Sequence, residues 1–213
     1  MLLLNERELL VEYGKKLIDK NLTKGTSGNL SIFNRDKKMF AITPSGIDYY
    51  NTKIEDIVIM DIDGNVVEGS KKPSSEHNLH RIFYANREDI GAIVHAHTIY
   101  STVLSCMNMS LPAVHYMIAS AGKDVRCAKY ATFGTEELAK NAYDEMKDRK
   151  AVLLANHGVL TGGKDIFEAF SILEDVEYVS ELYIKAKNIG EPVIIDEIEM
   201  EKIIEKFKSY GQK

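Results

Sequence analysis

His95 and His97 stand one residue apart at the end of an apolar run over residues 90–94. A run rich in Ile and Val reads as a buried strand, and residues two apart on a strand project to the same side. Two neutral imidazoles aimed at one spot begin a metal site, because imidazole is a common ligand for zinc and similar ions. The remaining ligands must come from elsewhere in the chain. His157 repeats the same setting: it follows the apolar stretch 151–155 and precedes Gly158. His95, His97 and His157 would supply three neutral ligands and leave a position open, the pattern of a catalytic zinc site. Read alone, His157 is equally a turn histidine bonded to backbone. A rival grouping is Glu76 with His77 and His80, since Glu76 and His80 lie four apart on one helical face. Glu76 by itself also suits a helix start, where a carboxylate is favoured by the dipole.

Three further segments suit an anion. Ser27-Gly28-Asn29, Thr43-Pro44-Ser45-Gly46 and Ser74-Ser75 combine small hydroxyl or amide side chains with a glycine or a helix start. Backbone N–H groups at such places can cradle a phosphate, and glycine lets the chain approach closely. Each segment alone is also an ordinary turn or cap. None fits a Walker or dinucleotide-binding pattern, so a nucleotide ligand is unsupported. Glu76 would stand about one helical turn from a phosphate bound at Ser74-Ser75.

These residues need elements to hold them. Helical spacing predicts a first helix from an Asn5 cap to about residue 20, then a hairpin of strands 30–33 and 39–42. Strands 57–60 and 65–67 flank the Asp63-Gly64 turn. A helix starts at Ser74 and runs to about 87, followed by strand 90–97 and a helix to about 106 capped by Thr98. Residues 111–117 read as a strand. A helix from a Thr135 cap to about 148, strand 151–155, a long helix 165–188 and a last helix 196–208 complete the chain. The irregular alternation and short turns argue for an α/β fold with a mixed or antiparallel sheet covered by helices.

The chain has 213 residues, 45% of them hydrophobic and 28% charged, which suits one domain over residues 1–213. Its net charge of −5, with no basic block, argues against nucleic acid. No apolar stretch is long enough to span a membrane, and the apolar start at residues 1–4 is too short for a secretion signal, so a cytoplasmic location is expected. The two cysteines, Cys106 and Cys127, fit no metal or redox spacing.

Taken together, Gly28-Asn29, Ser45-Gly46, Ser74-Ser75-Glu76, His95-Ala96-His97, the 115–118 segment, the 130–135 segment, Asn156-His157-Gly158 and the 205–211 segment resemble the class II, zinc-dependent aldolase family of the aldolase/adducin type. The pieces occur in the family's order, and the later ones resemble the branch that cleaves L-fuculose 1-phosphate. The resemblance implies a central, largely antiparallel sheet flanked by helices on both sides, in three layers. It implies one Zn2+ per subunit on His95, His97 and His157, with Glu76 as acid/base and fourth ligand when substrate is absent. It implies a phosphate site of Gly28, Asn29, Ser45, Gly46, Ser74 and Ser75, and Phe133 near the aldehyde end. Tyr116 and Tyr210 match tyrosines that reach the site from a neighbouring subunit of a homotetramer. The implied reaction is retro-aldol cleavage of L-fuculose 1-phosphate to dihydroxyacetone phosphate and L-lactaldehyde. Two other activities on this scaffold are weighed less, pentulose-5-phosphate 4-epimerase (which typically carries Asp where Glu76 stands) and methylthioribulose-phosphate dehydratase. A non-catalytic binding module would be expected to lose the metal ligands.

Overall fold

In the computed structural model, which describes residues 1–207, eight strands form one sheet in the order β4-β3-β2-β1-β5-β8-β7-β6. The strands are β1 (Asn29–Asn34), β2 (Met39–Ile42), β3 (Val58–Asp61), β4 (Val66–Glu68), β5 (Ala92–Ala96), β6 (Arg126–Ala128), β7 (Ala151–Leu154) and β8 (Gly158–Gly163). Every neighbouring pair is antiparallel except β6 and β7. That exception follows from connectivity: a parallel pair needs a crossover, and α4 (Glu136–Met146) supplies it between β6 and β7.

Two cores cover the two faces. Leu30, Ala41, Ala92, Val94 and Ala96 pack with apolar residues of α1 (Leu4–Asp19), α3 (Ile99–Cys106) and α5 (Ile166–Ile189). Phe40, Ile42 and Ile93 pack on the other side with α2 (His77–Asn86) and α4. Strand alternation therefore sends Ala92, Val94 and Ala96 one way and puts His95 with Ile93 on the α2 side. The sheet is largely antiparallel and helix-covered on both faces, as expected. The last helix, α6 (Glu197–Phe207), buries Met200 against the first of these cores. Among the described residues, no helix is long and apolar enough to cross a membrane.

Several local expectations are corrected. Residues 111–117 do not form a strand: Leu111 makes one bridge to Val125, and Tyr116–Ser120 turns into a 3-10 helix whose start is capped by His115. Strands β6 and β8 were not expected. β8 carries three glycines and no clear strand pattern, yet it is buried along its whole length. Helix α5 presses on its end so closely that a Cβ on Gly163 would sit 2.5 Å from the Ala169 nitrogen. The first helix starts on Leu3 rather than on an Asn5 cap. Helix α2 begins at His77, so Ser74 and Ser75 lie in the turn before it.

Thr98 sits at the start of α3 but its hydroxyl makes no cap. Glu177 of α5 does this from a distance: its carboxylate accepts from the backbone N–H of Tyr100 and Ser101 at 2.8 and 2.9 Å, and from the Ser101 hydroxyl at 2.8 Å. An anion at this helix start satisfies donors that burial would otherwise orphan. Because α3 follows His97 directly, the same contact anchors the end of β5. We expect Glu177→Ala to lower stability by about 1–2 kcal/mol, read as a reduced urea midpoint.

Candidate active site

Strand pairing assembles the histidines. Asn29 of β1 is in register with His95 of β5, and β5 pairs with β8, which brings the β7–β8 turn carrying His157 to the same sheet end. The His95, His97 and His157 rings have centroids 4.7–5.0 Å apart, and one ligand atom from each lies within 4.8 Å of the others. The His95 Nδ1 is 3.0 Å from the Val159 carbonyl oxygen, which only accepts, so Nδ1 carries a hydrogen and the lone pair sits on Nε2. Such a backbone contact is how a metal-ligating imidazole is usually oriented. The His95 and His97 Nε2 atoms stand only 3.1 Å apart.

Glu76 stands at the N-terminal boundary of α2, where its side chain makes no capping hydrogen bond, and is 7% exposed. Its Oε2 lies 3.3 Å from His95 Nε2, and its Oε1 lies 3.5 Å from His157 Nε2. Asn29 donates to Oε2 at 2.9 Å, whereas Oε1 is buried with no hydrogen-bond partner. Burial alone would raise the Glu76 pKa; the electrostatic pull of the adjoining His95 and His157 imidazoles and the Asn29 hydrogen bond outweigh it and leave the carboxyl below its usual range. Burial, with the neighbouring imidazoles, lowers His97 and His157 to about 4. Three converging nitrogens beside an orphaned carboxylate oxygen fit a divalent cation.

A cavity of about 320 Å³ opens beside this group and is lined by Gly28, Asn29, Ser45, Gly46, Ser74, Ser75, Glu76, His97, Phe133 and His157. All six residues expected at a phosphate are thus on one wall system with the histidines. The 43–46 and 72–75 loops are stitched together by Ser45 N–H to Lys72 O at 3.0 Å and Ser74 N–H to Thr43 O at 3.1 Å. Gly28 has φ +77°, and a Cβ there would meet the His95 carbonyl oxygen at 2.5 Å, so only glycine lets this loop cross β5 so closely. Sequence reasoning did not single out Thr26, Tyr130 or Asn156, which also line the cavity. Asn156 had a signal in the Asn-His-Gly turn, where it adopts φ 54°.

The Glu76–His77–His80 grouping does not form a site. His80 is fully buried and both ring nitrogens are engaged, with Asn29 Oδ1 at 2.5 Å and Ser31 Oγ at 2.6 Å. Tyr116 is 51% exposed and its ring lies tilted against that of His115, outside the lining of the histidine cavity of its own chain. Tyr210 lies outside the described residues.

The lowered imidazole values fix a sign. Between pH 4 and 6.5 the unfolded chain binds protons on His97 and His157 that the folded chain does not, so folded stability rises with pH across that window. We expect the urea midpoint of the metal-free protein to climb from pH 4.5 to 6.5, by less in His97→Asn; a flat profile would remove the basis for neutral ligands.

Comparison with known proteins agrees with this geometry. Residues 8–184 match the Class II Aldolase and Adducin N-terminal domain family. The chain is 53% identical over 212 residues to a 5-deoxy-D-ribulose 1-phosphate aldolase from Bacillus thuringiensis, covering 100% of both. It is 41% identical to an L-fuculose phosphate aldolase from Escherichia coli, covering 89% of this chain and 88% of that one. A solved structure described as an L-fuculose 1-phosphate aldolase superposes with a TM-score of 0.95 at 58% identity, covering 96% of each chain.

Proposed function

Because this chain belongs to the class II aldolase and adducin family, we propose that residues 1–213 form one metal-dependent aldolase unit that splits a 1-phosphorylated ketose between C3 and C4. The products are dihydroxyacetone phosphate and a short aldehyde. The observation that carries this reading is a buried carboxylate, Glu76, 3.3 and 3.5 Å from the nitrogens of His95 and His157 in a cavity shared with three small polar loops. The described residues lining that cavity include no lysine, so nothing there suggests a Schiff base.

His95, His97 and His157 would hold the cation, proposed to be zinc, with Glu76 as fourth ligand in the absence of substrate. When bound, the cation supplies Lewis-acid stabilisation for charge developing on the substrate's carbonyl oxygen. Gly28, Asn29, Ser45, Gly46, Ser74 and Ser75 hold the phosphate, so that binding energy far from the breaking bond positions the reacting carbons. Glu76 gives a proton to C3 of the three-carbon fragment, or takes it in the synthetic direction. Tyr116, with Tyr210, serves the aldehyde end from a neighbouring subunit of a homotetramer, Tyr116 handling the proton on the aldehyde oxygen; exposure of Tyr116 away from its own cavity is in keeping with such a role. A cytoplasmic location goes with this reading.

Two substrates of one class are favoured by different observations. The full-length relative from Bacillus thuringiensis favours 5-deoxy-D-ribulose 1-phosphate, and we take it as the preferred member. The solved structure at 58% identity favours L-fuculose 1-phosphate, the substrate implied by the sequence resemblance. Both have a C2 ketone, C3 and C4 hydroxyls and a methyl end; cleavage yields acetaldehyde and L-lactaldehyde respectively.

A coupled assay for dihydroxyacetone phosphate, run with both substrates, should show release from each with the higher kcat/KM for 5-deoxy-D-ribulose 1-phosphate. Chelation should abolish release and Zn2+ restore it; no release from either substrate would refute the aldolase reading. Glu76→Gln should lose about 10²- to 10⁴-fold in kcat while still binding Zn2+, and should lose solvent hydrogen exchange at C3 of dihydroxyacetone phosphate. Near-normal exchange in that variant would remove Glu76 from the proton-transfer role.

A further inference from the structure

Beneath the site runs a buried polar ladder, of which the proposed chemistry uses only Glu76 and Asn29. Glu76, His80 and Tyr84 follow one another at four-residue intervals along α2. Asn29 and Ser31 follow at a two-residue interval along the facing strand β1. Four residues of helix rise about 6 Å and two residues of strand about 6.6 Å, so the two rows interleave. The contacts alternate across the gap: Asn29 Nδ2 to Glu76 at 2.9 Å, Asn29 Oδ1 to His80 Nε2 at 2.5 Å, His80 Nδ1 to Ser31 Oγ at 2.6 Å, and Ser31 Oγ to Tyr84 OH at 2.5 Å. Asn29, Ser31, His80 and Tyr84 are all 4% exposed or less.

The direction of each link is fixed by what its atoms can do. The Glu76 carboxylate only accepts, so the Asn29 amino group must face it and the Asn29 carbonyl must face His80. That carbonyl also only accepts, so His80 Nε2 carries a hydrogen. A second hydrogen on Nδ1 would place a cation in a closed pocket with no counter-charge among its contacts, so Nδ1 holds a lone pair and accepts from the Ser31 hydroxyl. Ser31 then accepts from Tyr84.

We propose that His80 is a positioning residue: its Nε2–H fixes the Asn29 side-chain amide with the amino group toward Glu76, which gives Oε2 its donor and holds the carboxylate with Oε2 toward His95 and Oε1 toward His157. This rests on the reading of Glu76 as a working group of that cluster. Were the His80 hydrogen on Nδ1, Asn29 would turn over to give His80 its amino group. Its carbonyl would then oppose the carboxylate, and Glu76 would lose the Asn29 hydrogen bond. Asn29 also lines the cavity, so the same lock sets the amide at the proposed phosphate site.

The tautomer is read directly by ¹⁵N NMR of the full-length, metal-free protein labelled at histidine, with the His80 signals assigned from their absence in His80→Gln. We expect the Nε2–H form at pH 7; an Nδ1–H form or an imidazolium would overturn the proposal. This readout needs neither metal nor substrate, so it is independent of whether the chain proves to be an aldolase. The second arm is Zn2+ titration of two variants. Gln can place an N–H near the His80 Nε2 position, whereas Leu fills similar space with no donor. We expect His80→Leu to weaken Zn2+ binding by about 10- to 100-fold and His80→Gln to stay within about threefold of the parent. Parent-like affinity in His80→Leu, or equal losses in both variants, would overturn the proposal. If His80→Leu does not fold, the parent tautomer decides the matter.

Discussion

A carboxylate buried among three imidazoles is the constraint around which the rest of this chain is arranged. Glu76 cannot stay charged out of water without partners, and no single element could provide them. Its amide donor comes from β1, two of its imidazole neighbours from the end of β5 and the β7–β8 turn, and its own backbone from the start of α2. The order β1-β5-β8-β7 at the middle of the sheet makes these ends coincide. Outer strands and outer helices complete the two cores around that central register.

Much of this was legible because it obeys simple periods. The two-residue spacing of His95 and His97 on an apolar strand put both rings on one side, and the Asn-His-Gly turn offered His157 as their companion. What spacing could not say is that β8 is a strand: its glycines look like loop residues until α5 is seen pressing on Gly163. Nor could spacing separate the two uses of Glu76. On a bare helix Glu76 and His80 look like a pair of ligands, and only the facing strand reveals that His80 turns inward to Asn29 and Ser31 instead. Thr98 illustrates the same limit. It has the right residue type for a cap, yet the donors it should serve go to Glu177, far along the chain. Local chemistry names the candidates, and tertiary contact chooses among them.

The cavity has two unlike sides. The loops at 26–29, 43–46 and 72–75 offer small polar groups and backbone N–H donors, and hydrogen bonds tie two of those loops to each other. Tyr130 and Phe133, on the other side, are large rings 61% and 66% exposed. One side is built to a fixed pattern and the other is loosely furnished, which suits a common phosphorylated end and a variable tail.

The interleaving of α2 with β1 has an evolutionary consequence. Two rows that mesh only because their rises nearly match behave like a ruler, and a ruler tolerates repainting better than cutting. Conservative replacements along Asn29–Ser31 or Glu76–Tyr84 keep each rung opposite its partner. A single inserted or deleted residue within either row would send the rest of that strand to the opposite face, or turn the helix by about 100°. Length variation among descendants of this chain should therefore collect in the exposed turns, such as Arg35–Lys38, and stay out of these two short segments, whatever sugar the descendants come to use.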